Sequence, residues 1–313
     1  MLGKINTYFH TISWIRKIIF FMKHVKIPFF GGLEFYKLGK FFFEGLAGGF
    51  LTTRAAAIAF NLFLAIFPSI IFIFSLIPFI PIEGFQAELQ KELLFAAPAA
   101  MDTFMEETLF DIIANKHSSL LSLGFILAMY FATNGINSML TAFNMSYHLG
   151  EENARSWISQ QITAIVLTLV LTTFLFAAII LTIFGASIIH YVFNLLLDFS
   201  DNELALLNIA RWLIITSFVY FSVAFIYYYG PKKKVNFFSP GASLATLSMI
   251  LFTMGFAFYI ENFASYNKLY GSIGTVMGIM LMIYLNSFAL LIGYELNAAI
   301  DHGSAHIKLD EYK

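Results

Sequence analysis

Charged residues divide this chain into six long apolar runs. None of the runs contains Asp, Glu, Lys or Arg, and each is at least as long as the ~20 residues that cross the hydrocarbon core of a bilayer. Inside lipid, every backbone N–H and C=O group needs a partner within its own segment, so these runs predict helices. They cover residues 55–82, 117–150, 156–197, 212–231, 235–260 and 269–294.

The pattern predicts an all-α polytopic membrane protein with six transmembrane helices, N-terminal interfacial helices and a helical outer loop. We expect an amphipathic cytoplasmic or interfacial segment at 1–53, a transmembrane domain at 54–297 and a cytoplasmic tail at 298–313. The third run is assigned one crossing that ends near Gly185, with 188–197 at the outer interface, because a seventh crossing would move the lysines at 232–234 outside. The predicted spans are 55–82, 119–142, 160–184, 212–229, 239–260 and 273–296, and the outer loop is 83–118.

Two long segments outside the apolar runs, the N-terminal segment and the outer loop, are amphipathic. Residues 1–30 mix lysine and arginine with aromatic residues and show no cleavage site, which favours a helix on the membrane surface over a signal peptide. Gly31 and Gly32 are expected to break it before a second interfacial segment at 34–50. In the outer loop, apolar positions at helical spacing predict two short helices separated at Pro98.

Composition supports a membrane location. Hydrophobic residues make up 59% of the chain and charged residues 12%, about half of the ~25% typical of soluble domains. Mean hydropathy is +0.78. The chain has no cysteine, which excludes disulfides, thiolate metal sites and thiol nucleophiles.

Lysine and arginine are distributed unequally between alternate sides of the six predicted spans. One side, which includes both termini, holds 14 of the 18, and the other side holds 4. The positive-inside rule therefore predicts that both termini lie in the cytoplasm.

Polar residues inside the predicted spans are candidates for function, because they are costly in lipid, although they also join helices to one another. Arg54 and Asn61 are seven residues apart in span 1 and share a face, and Pro68 and Pro78 interrupt backbone hydrogen bonding. Pro68 and Pro231 are candidate hinges, with irregular packing as the alternative.

Span 2 carries a polar stripe. Asn134, Asn137, Thr141 and Asn144 follow one another at spacings of three, four and three, which places them on one helical face. Such a stripe lines either a hydrated path or a hydrogen-bonded contact with another helix, and the sequence leaves both open.

Span 6 carries Asn286 near its middle and Glu295 near its cytoplasmic end. Arg54 lies at similar depth in span 1, so an ion pair between Arg54 and Glu295 would lower the cost of both charges. The alternative is that both side chains extend to the headgroups. The candidate substrate path comprises Arg54, Asn61, Asn134, Asn137, Asn286 and Glu295.

Two loops add candidates for lipid contact. Lys232, Lys233 and Lys234 follow three tyrosines at the inner surface, where they set topology and attract anionic headgroups. The short loop before span 6 is polar and aromatic, and it supplies an outer gate at Tyr266, Asn267, Tyr270 and Gly271.

The sequence contains none of the common catalytic motifs. No phosphate-cradling glycine loop, nucleophile elbow or carboxylate cluster is present, and the basic residues follow the membrane rather than form a nucleic-acid platform. His302 and His306 have the spacing of two metal ligands, but a solvated tail is the better interpretation of that segment. We therefore expect no catalytic residue, no metal, no cofactor and no nucleic-acid partner; membrane lipids are the expected partners, and the oligomeric state stays open.

Four blocks together resemble the YihY/BrkB family of bacterial inner-membrane proteins. The blocks are residues 57–68, Asn134-Gly-Ile-Asn137, Tyr227-Tyr-Tyr-Gly-Pro231, and residues 265–271 with Gly293-Tyr-Glu295, and the likeness extends over about 35–300. The chain departs from the family at Phe60, where tyrosine is frequent, and at Met282 and Tyr284, where tryptophans occur.

The resemblance implies six transmembrane helices with cytoplasmic ends. The family has been called a virulence or serum-resistance factor and was formerly mislabelled ribonuclease BN. Our hypothesis is a transporter or flippase of an amphipathic, lipid-like envelope substrate without its own ATPase. The alternatives are a non-transporting scaffold or regulator of envelope enzymes and, more distantly, a ribonuclease.

The charge asymmetry generates a test of topology. Single cysteines at Ser118 and Ser304, on this cysteine-free background, are treated in intact cells with a membrane-impermeant thiol reagent. We expect labelling at position 118 and none at 304 until the cells are permeabilised. The opposite pattern would invert the predicted orientation.

Overall fold

The computed structural model describes residues 34–79, 86, 110–146, 155–196, 203–262 and 272–311, and these ranges are almost entirely helical. A short 3₁₀ turn, Ile77–Phe79, extends the second helix. In chain order the helices are α1 Phe35–Gly48, α2 Leu51–Leu76, α3 Phe110–Ala114, α4 Ser118–Asn144, α5 Trp157–Leu196, α6 Glu203–Tyr229, α7 Pro240–Asn262 and α8 Ser272–Glu311.

The predicted all-α fold with six spans is confirmed. Helices α2, α4, α5, α6, α7 and α8 are each long and apolar enough to cross a bilayer. Large apolar side chains cover their outward faces, such as Ile162, Leu213, Leu251 and Phe258, all more than half exposed. A surface of this kind requires a lipid solvent, because soluble proteins rarely expose large contiguous apolar patches.

The six spans pack in chain order around a closed ring. Helix α2 contacts α4, α4 contacts α5, and the series continues through α6 and α7 to α8, which returns to α2. Helix α1 lies against α8 at one end of the ring.

Two helices are longer than the predicted spans. The third span was expected to end near Gly185, whereas α5 continues as one helix to Leu196; one glycine within a helix costs only ~1 kcal/mol relative to alanine. Helix α8 likewise runs past the predicted boundary at 297 to Glu311. Its extension is held by α1, where Leu38 and Ala299 bury each other.

The buried core is concentrated at one end of the ring, which we call the basal end. It is the end at which α2 begins and α4 ends, and by the charge distribution it is the predicted cytoplasmic side. The core residues come from the basal portions of all six spans and include Ala55, Ile58, Leu140, Phe143, Ala164, Leu167, Ala224, Tyr227, Ala242, Ala245, Leu291 and Tyr294.

Glycines allow the closest helix contacts. In α7 and α8, Gly241 and Gly293 face each other so closely that a Cβ atom on Gly241 would lie 2.1 Å from the Gly293 carbonyl oxygen. A Cβ atom on Gly135 of α4 would lie 2.5 Å from Leu62 in α2. Small residues at such contacts are the usual basis of helix association in lipid, where burial from water gives no driving force.

The close contact of α7 with α8 makes a paired prediction. Gly241→Ala should lower the melting temperature strongly or prevent folding, because the new methyl group meets backbone rather than a movable side chain. Gly255→Ala, in the same helix but with no atom within 4 Å of its Cβ position, is the control and should be neutral or slightly stabilising. Thermal unfolding followed by size-exclusion chromatography measures both, and equal effects would contradict the packing.

Candidate functional site

A buried ion pair joins the first and last spans at the basal end. Arg54 Nη1 lies 2.8 Å from Glu295 Oε1, and the two residues are 5% and 0% exposed. The predicted pairing of these residues is therefore confirmed, and the alternative of separate extension to the headgroups is wrong. Their charges compensate each other at a depth where a lone charge would be costly.

Two further groups complete this network. Ser146, directly after α4, donates a hydrogen bond of 2.7 Å to the second carboxylate oxygen of Glu295. Arg54 Nη1 also donates to the Gly49 carbonyl in the link between α1 and α2. In that link Phe50 adopts a left-handed backbone conformation. One carboxylate thus ties together α2, the end of α4 and α8.

The guanidinium group of Arg54 is only partly satisfied. Its Nε and Nη2 atoms are buried and have no hydrogen-bond acceptor among the described residues. A buried donor without an acceptor costs about 1–3 kcal/mol. The network therefore holds the basal end together with less net stability than its short distances suggest.

Three aromatic rings in mutual contact fill the space beside the ion pair. Phe143 stacks on Tyr294 with 4.2 Å between ring centroids, and Tyr227 packs edge-on against Phe143 at 5.7 Å. The Tyr227 hydroxyl donates to the Leu290 carbonyl of α8. We call Phe143, Tyr227 and Tyr294 the aromatic cluster; it closes the centre of the ring at its basal end.

Asn297 and Ser239 fix the start of α7 against α8. The Asn297 amide donates to Ser239 Oγ at 3.0 Å and accepts from the Gly241 backbone N–H at 2.9 Å. Ser239 Oγ also accepts from the Ala242 N–H, as an N-cap. These bonds satisfy donors that the first turn of a helix leaves free.

Arg155 performs the corresponding task at the end of α6. Its guanidinium group donates to the carbonyl oxygens of Tyr229, Gly230 and Pro231 at 2.9, 3.0 and 3.1 Å. The last carbonyls of a helix lack partners and carry partial negative charge, so an arginine is favourable here. Arg155 thereby links the start of α5 to the end of α6.

The polar stripe of span 2 is used mainly for a helix contact. Gln160 of α5 donates to Asn137 at 2.6 Å and to Thr141 at 2.9 Å, and it accepts from Asn144 at 3.2 Å. Asn134, half-buried in the same stripe, has no side-chain hydrogen bond within the described ranges. The stripe lies between α4 and α5.

Neither of the two cavities described below contains more than one of the four candidate path asparagines. Asn61 bonds to the Ala57 carbonyl of its own helix. Asn286 bonds to the Met282 carbonyl and reaches Thr253 of α7. Of the four, Asn286 alone lines the cavity described next, because helical rotation directs the others to different neighbours.

An apolar cavity of about 390 Å³ lies above the aromatic cluster, away from the basal end. Helices α2, α4, α7 and α8 line it, and apart from the Asn286 amide and the Ser287 hydroxyl its walls are aliphatic or thioether side chains. We call it the apolar cavity. It is lined by Leu62, Ile66, Met139, Met249, Ile279, Met282, Ile283, Asn286, Ser287 and Leu290.

A second, polar cavity of about 320 Å³ opens at the basal end between the α6–α7 loop and α8. We call it the basal cleft. Two lysines, two amides and three hydroxyls contribute to its walls, and Lys233 forms an ion pair with Asp301. It is lined by Lys233, Lys234, Val235, Asn236, Ser239, Pro240, Tyr294, Asn297, Ala298, Ile300, Asp301 and Ser304.

The remaining candidates fall in three places. Lys232, Lys233 and Lys234 are exposed in the α6–α7 loop. Helix α2 continues through Pro68, and Pro231 is buried in the turn after α6, so their role as hinges stays a prediction. The outer gate at Tyr266, Asn267, Tyr270 and Gly271 and the break at 31–32 lie outside the described residues, as does most of the outer loop.

Several central residues were not foreseen from the sequence. Gln160 lies in a charge-free run, and its amide within a predicted span is the one sequence feature that could have marked it as a candidate. Arg155 was counted only for topology, and its capping role depends on where α6 ends. Ser146 carries no distinguishing pattern, because a serine after a helix is common and its partner is 149 residues away.

A comparison with protein families now identifies the chain. The family model for virulence factor BrkB matches residues 42–311, which include all six spans, the ion pair and both cavities. The chain belongs to the BrkB family. The resemblance drawn from the four sequence blocks is thereby confirmed.

Relatives of this BrkB family member are named as membrane proteins or as ribonuclease-like. A ribonuclease-like protein of Bacillus subtilis, YfkH, is 31% identical over 253 residues, which is 79% of this chain and 89% of YfkH. The UPF0761 membrane protein NTHI0384 of Haemophilus influenzae is 26% identical over 276 residues, covering 84% and 94% of the two chains. No solved structure matches the chain significantly.

The ion pair predicts a non-additive pair of substitutions. Arg54→Ala or Glu295→Ala leaves one buried charge without its partner, which typically costs 3–5 kcal/mol, so the yield and melting temperature of folded protein should fall sharply. The double variant should be less damaging than the sum of the single variants, because no unpaired charge remains. Melting temperatures of the purified variants measure this, and additive losses would exclude coupling between the two residues.

Proposed function

We propose that this protein is a transporter or flippase that moves an amphipathic, lipid-like substrate across the inner membrane. The supporting observation is a single face of α8 that carries both cavities in succession. Asn286, Ser287 and Leu290 border the apolar cavity, and Tyr294 and Asn297 border the basal cleft. An amphipathic molecule needs an apolar space and a polar space in this relation.

The two cavities are separated by a thin barrier. Leu290 and Tyr294 are four residues apart on α8, which is about 6 Å along a helix axis. The aromatic cluster, which includes Tyr294, lies between the two cavities, and the hydrogen bond from Tyr227 to the Leu290 carbonyl holds it in place. The ion pair of Arg54 with Glu295 closes the same level of the ring. We interpret this arrangement as a state that is closed at the basal end.

Opening the basal end requires the α2–α8 and α4–α8 contacts to separate. The partly satisfied Arg54 lowers the cost of that step, because two of its nitrogens already lack acceptors in the described part of the chain. Alternation between a closed and an open basal end would expose the cavities to the two sides in turn, as in transporters whose halves rock around a central site. The proposed path follows α8, and the α4 stripe serves as its support.

The hydrogen bonds of Gln160 also favour a second candidate, a non-transporting scaffold. Those bonds turn the only polar stripe of α4 into a packing contact, as expected if the bundle is simply a stable membrane platform. The ribonuclease-like name belongs to YfkH. The polar groups that line the two cavities do not form an arrangement suited to phosphodiester cleavage.

Filling the apolar cavity distinguishes these candidates. Purified protein is reconstituted in vesicles that contain a fluorescent anionic phospholipid, and movement between leaflets is followed by chemical quenching of the outer leaflet. Wild-type protein should accelerate the movement. Met282→Trp places an indole in the apolar cavity and should reduce the rate at least ~10-fold while the protein still folds.

Met280→Trp is the matched control. Met280 lies two residues away on the same helix, is 38% exposed and does not line the apolar cavity, so its variant should transport normally. Wild-type vesicles that move no lipid would contradict the transport function. Equal rates for the Met280 and Met282 variants would show that the apolar cavity is not on the path.

A further inference from the structure

We propose that the basal cleft binds the phosphate group of an anionic lipid headgroup, with Lys233 and Lys234 as cationic partners and Asp301 as an internal competitor that the phosphate displaces. The inference rests on the proposed function and specifies the polar part of its substrate. It concerns a site formed by the α6–α7 loop and the extension of α8, which shares Tyr294 with the aromatic cluster.

The chemistry of the cleft walls fits an oxyanion. Lys233 and Lys234 supply two ammonium groups, and Asn236 adds a neutral amide donor. One acid, Asp301, also lines the cleft, so the lining carries one net positive charge. The deeper polar groups, Ser239 and Asn297, already bond to each other, which makes them a fixed floor.

The position of the cleft favours a lipid as the source of the phosphate. Phe238, in the loop that forms one wall, is 74% exposed, and an exposed aromatic ring beside lysines is typical of the interface where headgroups lie. Tyr294 forms part of the cleft wall and part of the barrier to the apolar cavity. The acyl chains of a lipid whose headgroup lies in the cleft would therefore point toward the transmembrane helices.

Asp301 gives the site a measurable switch. Its ion pair with Lys233 is half-exposed, at 49% and 43% of the two side chains, and exposed pairs of this kind contribute little. The phosphodiester of a lipid carries the same single charge as a carboxylate, but its two free oxygens can accept from Lys233 and Lys234 together, so it displaces Asp301 at little cost. Removal of Asp301 should therefore strengthen binding, whereas removal of either lysine should weaken it.

The test is calorimetric titration of the full-length detergent-purified protein with dihexanoyl phosphatidylglycerol. Lys233→Gln and Lys234→Gln should each weaken binding about 10-fold, since a charge-assisted hydrogen bond contributes ~1.5 kcal/mol and 1.4 kcal/mol is tenfold. Asp301→Asn should tighten binding a few-fold. Lys232→Gln is the matched control: this adjacent lysine does not line the cleft, so its variant should change binding less than ~2-fold.

Two further titrations identify the source and class of the ligand. Dihexanoyl phosphatidylcholine should bind more weakly, because its choline group opposes the lysines. Inorganic phosphate that binds as tightly as the lipid would overturn the lipid assignment. Equal losses for the variants at 232, 233 and 234 would overturn the site itself.

Failure of this inference can be distinguished from failure of the proposed function. Binding is measured without any transport, and all four exposed side chains can be replaced without disturbing the core. If vesicles show lipid movement but the cleft variants bind normally, the cleft assignment falls and transport stands. If the cleft binds phosphatidylglycerol as expected but no lipid moves, transport falls and a lipid-binding site remains.

Discussion

The salt bridge between Arg54 and Glu295 is the contact on which the basal end of the bundle depends. It joins the first span to the last, and its carboxylate also accepts from Ser146 after α4. In a low-dielectric surrounding neither charge is tolerable without the other. The ring of six helices is therefore closed at a single level, and the other basal contacts lie around that level.

Short-range packing then makes the closure tight. Gly241 and Gly293 allow α7 and α8 to approach backbone to backbone, which brings Tyr227 and Tyr294 into the centre of the ring. Helix ends at the same level are satisfied by side chains from neighbouring helices, with Arg155 at the end of α6 and Ser239 with Asn297 at the start of α7. Because lipid offers no hydrogen bonds, each of these ends needs such a partner.

Among the described residues, buried side chains are concentrated toward the basal end, and this asymmetry gives the proposal for transport its physical basis. Above the aromatic cluster the same helices leave an apolar cavity of about 390 Å³. A cavity retained next to a partly satisfied ion pair is consistent with a barrier that opens.

The α8 extension also connects the two ends of the described chain. Beyond the last span it packs against α1 through Leu38 and Ala299, and Phe41 meets His302 edge-on. The basal cleft is formed where this extension meets the α6–α7 loop. The segment therefore forms part of a candidate binding surface and is more than a solvated tail.

The sequence by itself determined the class of protein and the number of spans. Six charge-free runs are sufficient for this, because the bilayer requires long apolar helices whatever their neighbours are. It also indicated the pair Arg54–Glu295, since two opposite charges at equal depth have few other solutions. The asparagine stripe was ambiguous, because an amide has many possible partners. An amide in lipid needs a hydrogen-bond partner, but the spacing of the stripe does not say whether that partner is water or Gln160.

Only the tertiary structure decided how the faces of the helices meet. The register of α4 against α5 turned the stripe into a helix contact, and the glycine contact of α7 with α8 placed both cavities along one face of α8. Ser146, Gln160 and Arg155 acquired their partners through long-range contacts, between 16 and 149 residues apart along the chain. Periodicity fixes which residues share a helix face, but the rotation of each helix against its neighbours depends on the packing of the whole ring.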